Sequence, residues 1–458
     1  MNLNIISKSI SKLHKPVLNS SSDGSPDIMP AFAHDYGNYA ARYGMGSFQI
    51  QAIMKLEGRI DFDKLTAAVR LSVDAEPVLG CRFVEHSPPY WKRLKDIDNV
   101  TFCSMEETDN AEEAAQRFLE SPLDMDHDPM VKVKLIRSEQ YDTIGIKLNH
   151  TCCDGAGAKE YIHLLSRIYS DMAAGNGAYP AKPSIRDSKD HIKILENLGI
   201  KHPMLDNSVV EAPRTVWPFL WKSAGQRDST SFVICRLPGG QLDTLSKYGK
   251  ERGATINDLI LTAFYRAMFK MSRPPYHVPM DIGLTIDLRR YLPENKSSAM
   301  RNLSGGIVLR IPRIKNEPFE GTLSRVVALM NRKKSKNPGY QCATGAERAE
   351  MIDFYQFLAF SKFISKASDV LLKKCCFCSP GLSNVGIISK ALINFGDNAV
   401  TDAYIIPPVI RMPGIILVAS SYNGILTFAT GYYKGSVRKE KLEKLLDGIR
   451  SELIEGCR

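Results

Sequence analysis

No segment of the sequence approaches the roughly 20 uninterrupted apolar residues that a membrane-spanning helix requires. The most apolar stretch, residues 405–420, is broken by Pro407, Pro408, Arg411 and Pro413. A secretory leader is not expected either. Met1-Asn2-Leu3-Asn4-Ile5-Ile6 runs straight into Ser7-Lys8-Ser9-Ile10-Ser11-Lys12, with no extended apolar region and no cleavage signal. The ten cysteines lack the regular loop spacing of a disulfide framework, and two pairs, Cys152-Cys153 and Cys375-Cys376, are adjacent. These absences predict a cytoplasmic protein whose cysteines stay reduced and act as small buried apolar residues. Cys375-Cys376-Phe377-Cys378 contains a C-x-x-C, but neither a second ligand pair for zinc nor a thioredoxin-like setting accompanies it.

Nucleic-acid signatures are lacking too. The formal net charge is +10, yet the basic residues are scattered and only 331–336 forms a compact basic run. No zinc-finger spacing, basic zipper or RNA-stacking motif is present, so nucleic acid is not expected as a partner. The charge suits a mildly basic solvated surface, or a ligand carrying several phosphates.

What is present is a chain of 458 residues with 44% hydrophobic and 24% charged residues, ordinary values for globular protein. That length accommodates two domains of about 200 residues each. The first half alternates helix and strand signals: helices over 62–73, 111–119 and 157–172, and strands over 78–84, 131–135 and 143–148. A Pro- and Gly-rich stretch then separates the halves, giving an N-terminal unit 1–175, a connector 176–228 with some helix near 190–198, and a C-terminal unit 229–458. In the second half, strands are expected at 231–237 and 280–286 and helices at 241–251 and 440–453, while 303–311, 322–331, 382–388, 415–421 and 426–431 continue the mixture of elements. A further helix is opened by Thr255-Ile256-Asn257-Asp258, where an acidic residue three positions after Thr255 suits a capping box. Both halves read as α/β.

One segment carries a chemical signal. Asn149-His150-Thr151-Cys152-Cys153-Asp154-Gly155 places a histidine at the end of an apolar strand, with Asp-Gly four residues later. Histidine is the side chain best suited to take a proton near neutral pH, and Gly155-Ala156-Gly157 would let a thin substrate approach the ring. A lone His-x-x-x-Asp-Gly is common, and a metal site would need a third ligand that is not evident. The remaining histidines, including His163 and His202, have no recognisable partners. Lys362, Lys366, Lys373 and Lys374 lie among Phe363, Ile364, Val370 and Leu371. That pattern fits either a surface helix or the amphipathic face of a peripheral membrane contact.

Several further segments, in order, resemble one family. Glu76-Pro77-Val78-Leu79-Gly80-Cys81-Arg82-Phe83, Ser121-Pro122-Leu123-Asp124-Met125, the His150 motif, Thr255-Ile256-Asn257-Asp258, Ile286-Asp287-Leu288-Arg289, Asn302-Leu303-Ser304-Gly305 and Ser383-Asn384-Val385-Gly386 together look like the condensation-domain-like acyltransferases. That superfamily includes peptide condensation domains, wax-ester synthases and alcohol acyltransferases. The resemblance runs from about Gly44 onward. It implies two chloramphenicol-acetyltransferase-like halves with a tunnel at their interface.

It implies His150 as general base and Asp154 as a structural residue beside Gly155, paired with Arg289 in preference to Arg290. Ser383 or Asn384 is then a candidate oxyanion donor or tunnel residue. No metal and no bound cofactor are expected. The co-substrate would be acyl-CoA or a carrier-borne thioester, with Lys333 and Lys334 available to phosphates. Direct transfer leaves Cys152 and Cys153 without a nucleophilic role. Asn149, where many relatives have a first histidine, favours an alcohol acceptor over an amine. The plant-type Asp-Phe-Gly-Trp-Gly segment and a carrier Gly-Gly-x-Ser site are not found, so the chain reads as a stand-alone, monomeric enzyme acting on small-molecule donor and acceptor. The competing expectation is a non-catalytic relative that binds an acyl ligand or a partner in the same tunnel.

Overall fold

A computed structural model describes residues 27–43, 46–175, 183–186, 189–201, 210–219, 221, 229–371 and 376–458. The first half contributes, in order, α1 (Ala33–Ala41), β1 (Gln49–Leu56), α2 (Phe62–Ala75), β2 (Cys103–Glu107), β3 (Val131–Arg137), β4 (Asp142–Asn149) and α3 (Gly155–Ala173). The second half contributes β5 (Thr230–Arg236), α4 (Ile256–Ser272), β6 (Pro279–Asp287), β7 (Ser304–Pro312), α5 (Phe354–Leu371), β8 (Phe377–Ile387), β9 (Asn398–Ile406), β10 (Gly414–Tyr422), β11 (Ile425–Tyr433) and α6 (Lys439–Gly456).

Each half is a sheet covered by helices. In the first, α2 and α3 turn Leu65, Val69, Val73, Tyr161, Leu165 and Ile168 onto the sheet, the helical stripe predicted from their spacing. Its strand order is β9-β1-β4-β3-β2, with the short strand Asn394–Phe395 at the β9 edge. β4 is buried along its whole length, including the polar Asp142, Thr143, Lys147 and Asn149 that alternate with Ile144, Ile146 and Leu148. In the second half the order is β5-β11-β10-β8-β6-β7, and α4 and α6 pack over it through Leu259, Phe264, Leu446 and Ile449. The capping box at Thr255 is formed: Asp258 N donates to Thr255 Oγ1 at 3.3 Å and Thr255 N donates to Asp258 Oδ2 at 2.9 Å.

Three features depart from the sequence expectation. The segment expected as a strand from 78 begins instead as a 3-10 turn, Pro77–Gly80, with Pro at its first position, and only Cys81–Val84 is extended. β9 comes from the second half of the chain yet pairs with β1 of the first, Ile405 opposite Ala52 and Ala403 opposite Met54. The sheets are therefore tied by a strand exchange that hydrophobic patterning cannot reveal. Within 176–228, the described residues are packed rather than slack. Arg186 and Trp217 are buried, Arg186 pairs with Asp35, and Trp217 Nε1 donates to Asp281 O at 2.6 Å.

Among the described residues no helix is long and apolar enough to cross a membrane. Nine cysteines are free thiols, and all but Cys342 and Cys376 are buried. Lys373, Lys374, Cys375 and His202 lie outside the described residues.

Candidate active site

β4 ends at Asn149 and hands His150 to a tight turn before α3. The Asn149 carboxamide holds that turn: its Oδ1 accepts from Thr151 N at 3.0 Å, and its Nδ2 meets the Met125 sulfur at 3.3 Å. Asn149 is therefore a buried turn residue. The His150 ring stacks on Phe48 at 4.7 Å between centroids and 24° between planes.

Nδ1 of His150 lies 3.1 Å from Asn302 Oδ1. Asn302 Nδ2 donates to Thr151 O at 2.8 Å. Flipping this amide would set its oxygen against the Thr151 carbonyl oxygen, so the carbonyl end must face the histidine. Two consequences follow. The proton sits on Nδ1, and Nε2 carries a free lone pair. Burial pushes the His150 pKa down, with its own backbone carbonyl, the Asp154 charge and Asn302 pulling the other way. The ring is thus neutral, and its acceptor nitrogen is defined.

Asp154 caps α3, accepting from Gly157 N at 2.9 Å. Its other oxygen accepts from Arg289 Nη1 at 2.9 Å, Leu303 N at 2.7 Å and Ser304 Oγ at 3.2 Å. Both members of the ion pair are buried, at 1% and 2% side-chain exposure. Burial alone would raise the Asp154 pKa; the Arg289 charge and these hydrogen bonds outweigh it and hold the carboxyl below its ordinary value. Arg289 Nη2 also donates to Arg301 O at 2.9 Å, and Met300 N donates to Glu76 Oε2 at 3.0 Å. Residues 300–304 thus form a strap from the second half: Asn302, Leu303 and Ser304 bond the histidine turn, Met300 bonds Glu76, and Arg301 O receives Arg289.

Residues 44–286, just over half of the chain, match the family model for the condensation domain. The chain belongs to the condensation-domain family. Among curated relatives, it is 24% identical over 254 residues to an uncharacterised protein of Mycobacterium tuberculosis (strain CDC 1551 / Oshkosh). That match covers 53% of this chain and 56% of the relative, so the chain spans about half the length of that relative. Two solved structures have the same fold. Polyketide synthase associated protein 5 from Mycobacterium tuberculosis has a TM-score of 0.64 at 16% identity, covering 94% of this chain and 99% of that one. The trichothecene 15-O-acetyltransferase TRI3 from Fusarium sporotrichioides has a TM-score of 0.67 at 13% identity, covering 96% of each chain. Both likenesses show the fold of this condensation-domain chain.

The other residues singled out in this condensation-domain chain are distributed as follows. Gly155 opens α3, and a Cβ there would stand 3.5 Å from Val385 Cγ2, an ordinary contact. The tight position is Gly157, where a Cβ would come within 2.9 Å of Cys153 Cβ. Its small size serves packing inside the turn rather than passage of a substrate. Ser383 and Asn384 lie on β8 beside Val385, whose carbonyl accepts from Lys159 Nζ at 2.6 Å. Thr285 Oγ1 donates to Ser383 Oγ at 3.0 Å. Asn384 Nδ2 donates to Asn257 Oδ1 at 3.3 Å, and Asn384 Oδ1 accepts from Gly386 N at 3.0 Å. Neither is hydrogen-bonded to His150.

Arg290 is exposed and takes no part in the Asp154 pair. Hydrogen bonding with Cys152 and burial push the Cys153 thiol well up, away from thiolate chemistry. Lys333 is paired with Glu211, and Lys334 Nζ lies 3.7 Å from Asp258 Oδ2, so these two lysines are not a free phosphate site. Burial, then Lys159, lower the pKa of His163 on α3, and its Nε2 is buried without a hydrogen-bond partner. Asn302 and Phe48 are the site residues that motif reading missed. Asn302 lies in the segment Asn302-Leu303-Ser304-Gly305, and nothing in sequence spacing relates it to His150.

One cluster has metal-ligand chemistry among the described residues: His191, Glu347 and Glu350, with ligand atoms within 4.8 Å of one another. Glu350 already receives Lys189 and Ala33 N, and Glu347 Oε2 lies 3.0 Å from His191 Nε2. Those partners satisfy the set as it stands.

Proposed function

We propose that the protein is an acyltransferase that moves an acyl group from a thioester, acyl-CoA in the first instance, to a small-molecule alcohol, with His150 as general base. The observation that carries this reading is the Asn302–His150 contact, which leaves Nε2 unprotonated on a neutral ring. In the proposed step, Nε2 takes the acceptor hydroxyl proton as its oxygen attacks the thioester carbonyl. The carbon–sulfur bond then breaks, and the departing thiolate recovers that proton from the imidazolium as free thiol. A hydroxyl needs its proton removed as it attacks, whereas a neutral amine is already nucleophilic; a fixed neutral base therefore matters most for the alcohol.

Asp154 and Arg289 act in this reading as positioning residues: their pair fixes the turn that aims the ring, and Gly155 starts the helix beside it. The developing oxyanion needs a preorganised donor. Ser383 is the better candidate, because its oxygen accepts from Thr285 and its own hydroxyl hydrogen stays available. The Asn384 amide is engaged by Asn257. Both substrates would reach Nε2 along the interface between the halves. Several relatives in this family are condensation domains of multidomain synthetases, so a carrier-borne thioester is the second donor to test.

The test is incubation of the protein with acyl-CoAs of varied length and with acyl-pantetheine carrier thioesters, each with alcohols and with amines, following free thiol and the acylated product. Thiol release that depends on an alcohol supports the reading. Tight acyl-CoA binding without turnover across the panel overturns it in favour of a binding protein.

A further inference from the structure

α5 (Phe354–Leu371) is apolar on both of its long faces. One face, with Phe354 and Leu358, packs on α1: Tyr36 meets Phe354 and Phe357 edge-on at 5.8 and 5.5 Å, and Ser365 Oγ donates to Tyr43 O. The opposite face repeats at helical spacing through Phe360, Phe363, Ala367 and Val370, with Ile364 at its border. Phe360 is 64% exposed, Phe363 65% and Val370 66%. Met351 and Ile352, exposed just before the helix, extend the strip. Large apolar side chains left bare side by side along one helix face mark a contact surface.

Charge says what the contact is. Lys362 and Lys366 lie along one edge of the bare face, Lys362 with its Nζ 4.7 Å from the Tyr43 ring centroid and Lys366 exposed. Between 354 and 371 the helix carries these two lysines and a single acidic residue, Asp369. The whole chain carries a net charge of +10. An apolar helix face with aromatic residues at its centre and lysines at its edge is the arrangement that seats a helix in a bilayer interface. Anionic headgroups complement the lysines. A second copy of this chain would instead set one lysine edge against another.

We propose that the α5 face docks this protein onto an anionic phospholipid surface, with Phe360, Phe363 and Val370 entering the headgroup–acyl boundary. This docking is independent of the acyl-transfer reading.

The test is co-sedimentation of the full chain with vesicles of phosphatidylcholine mixed with phosphatidylserine, and with vesicles of phosphatidylcholine alone, alongside light scattering in solution. Expected is binding to the mixed vesicles that falls with salt, and weaker binding to the neutral ones. Phe363→Glu should weaken it by about tenfold or more, the scale expected for losing a buried aromatic ring. Lys366→Glu should weaken binding to the mixed vesicles selectively. If Phe363→Glu lowers the melting temperature, Phe360→Ser and Val370→Ser probe the same face without added charge. Absence of binding to both vesicles, binding unchanged by these substitutions, or a solution dimer that Phe363→Glu dissociates overturns the proposal; the last result would give the face to a second copy.

Discussion

Asn302 Oδ1 and His150 Nδ1 meet at 3.1 Å across 152 residues of sequence. The same carboxamide reaches the Thr151 carbonyl at 2.8 Å, so one side chain from the second half reads both the ring and the backbone beside it. The histidine is fixed in position and in tautomer by a residue that does no chemistry of its own.

Asn302→Asp tests that relationship through pH. The wild-type ring has its pKa held below the ordinary 6.5 by burial, and the base form is the neutral one. Activity should therefore be flat through neutrality and be lost only as pH falls below 6.5. A carboxylate at position 302 favours imidazolium, so the acidic limb of kcat/KM should move to higher pH. Asn302→Leu should instead lower kcat at every pH. An unchanged pH profile in Asn302→Asp would contradict the assigned contact.

The Asp154–Arg289 pair makes a different prediction. Asp154→Ala leaves Arg289 buried without its main counter-charge, at a cost of about 3–5 kcal/mol. The melting temperature and soluble yield should fall sharply. Asp154→Ala combined with Arg289→Met should cost less than the two changes summed, since no buried charge is then stranded. The carboxyl is held below its ordinary 3.8. Its contribution is accordingly full at neutral pH and is lost as pH falls through that lowered value. A fully stable but inactive Asp154→Ala would point to a chemical role for the carboxylate.

Gly157 and Gly155 should separate cleanly. Gly157→Ala forces a Cβ to within 2.9 Å of Cys153 Cβ and should destabilise by about 1–3 kcal/mol, as overpacking does. Gly155→Ala meets Val385 at 3.5 Å and should melt close to the wild type. Thermal denaturation of the two variants is sufficient, and the reverse order would contradict the packing described.

Much of this architecture was legible in the sequence, because burial follows period. α2, α3 and α4 show their stripes, Thr255-Ile256-Asn257-Asp258 announces its capping box, and the alternation Ile144, Ile146, Leu148 marks β4 just before His150. The ordered segments also brought Asp154 and Arg289 together on paper. What remained hidden is what periodicity does not encode. No strand is expected from the pattern over β9, and only the tertiary pairing of Ile405 with Ala52 places it in the other half's sheet. Trp217 and Arg186 sit in a stretch whose prolines suggest a slack connector, yet both are buried. The Asn302 contact depends on the strap at 300–304 crossing between halves, which no local signal specifies.

The most direct test of the account is kcat/KM for thiol release with the best donor and alcohol, compared between the wild type and His150→Ala, with acyl-CoA affinity measured on both. The account predicts a fall of at least about 10²-fold, the usual contribution of a positioned base, with donor affinity and melting temperature close to the wild type. Activity in His150→Ala equal to the wild type would contradict it.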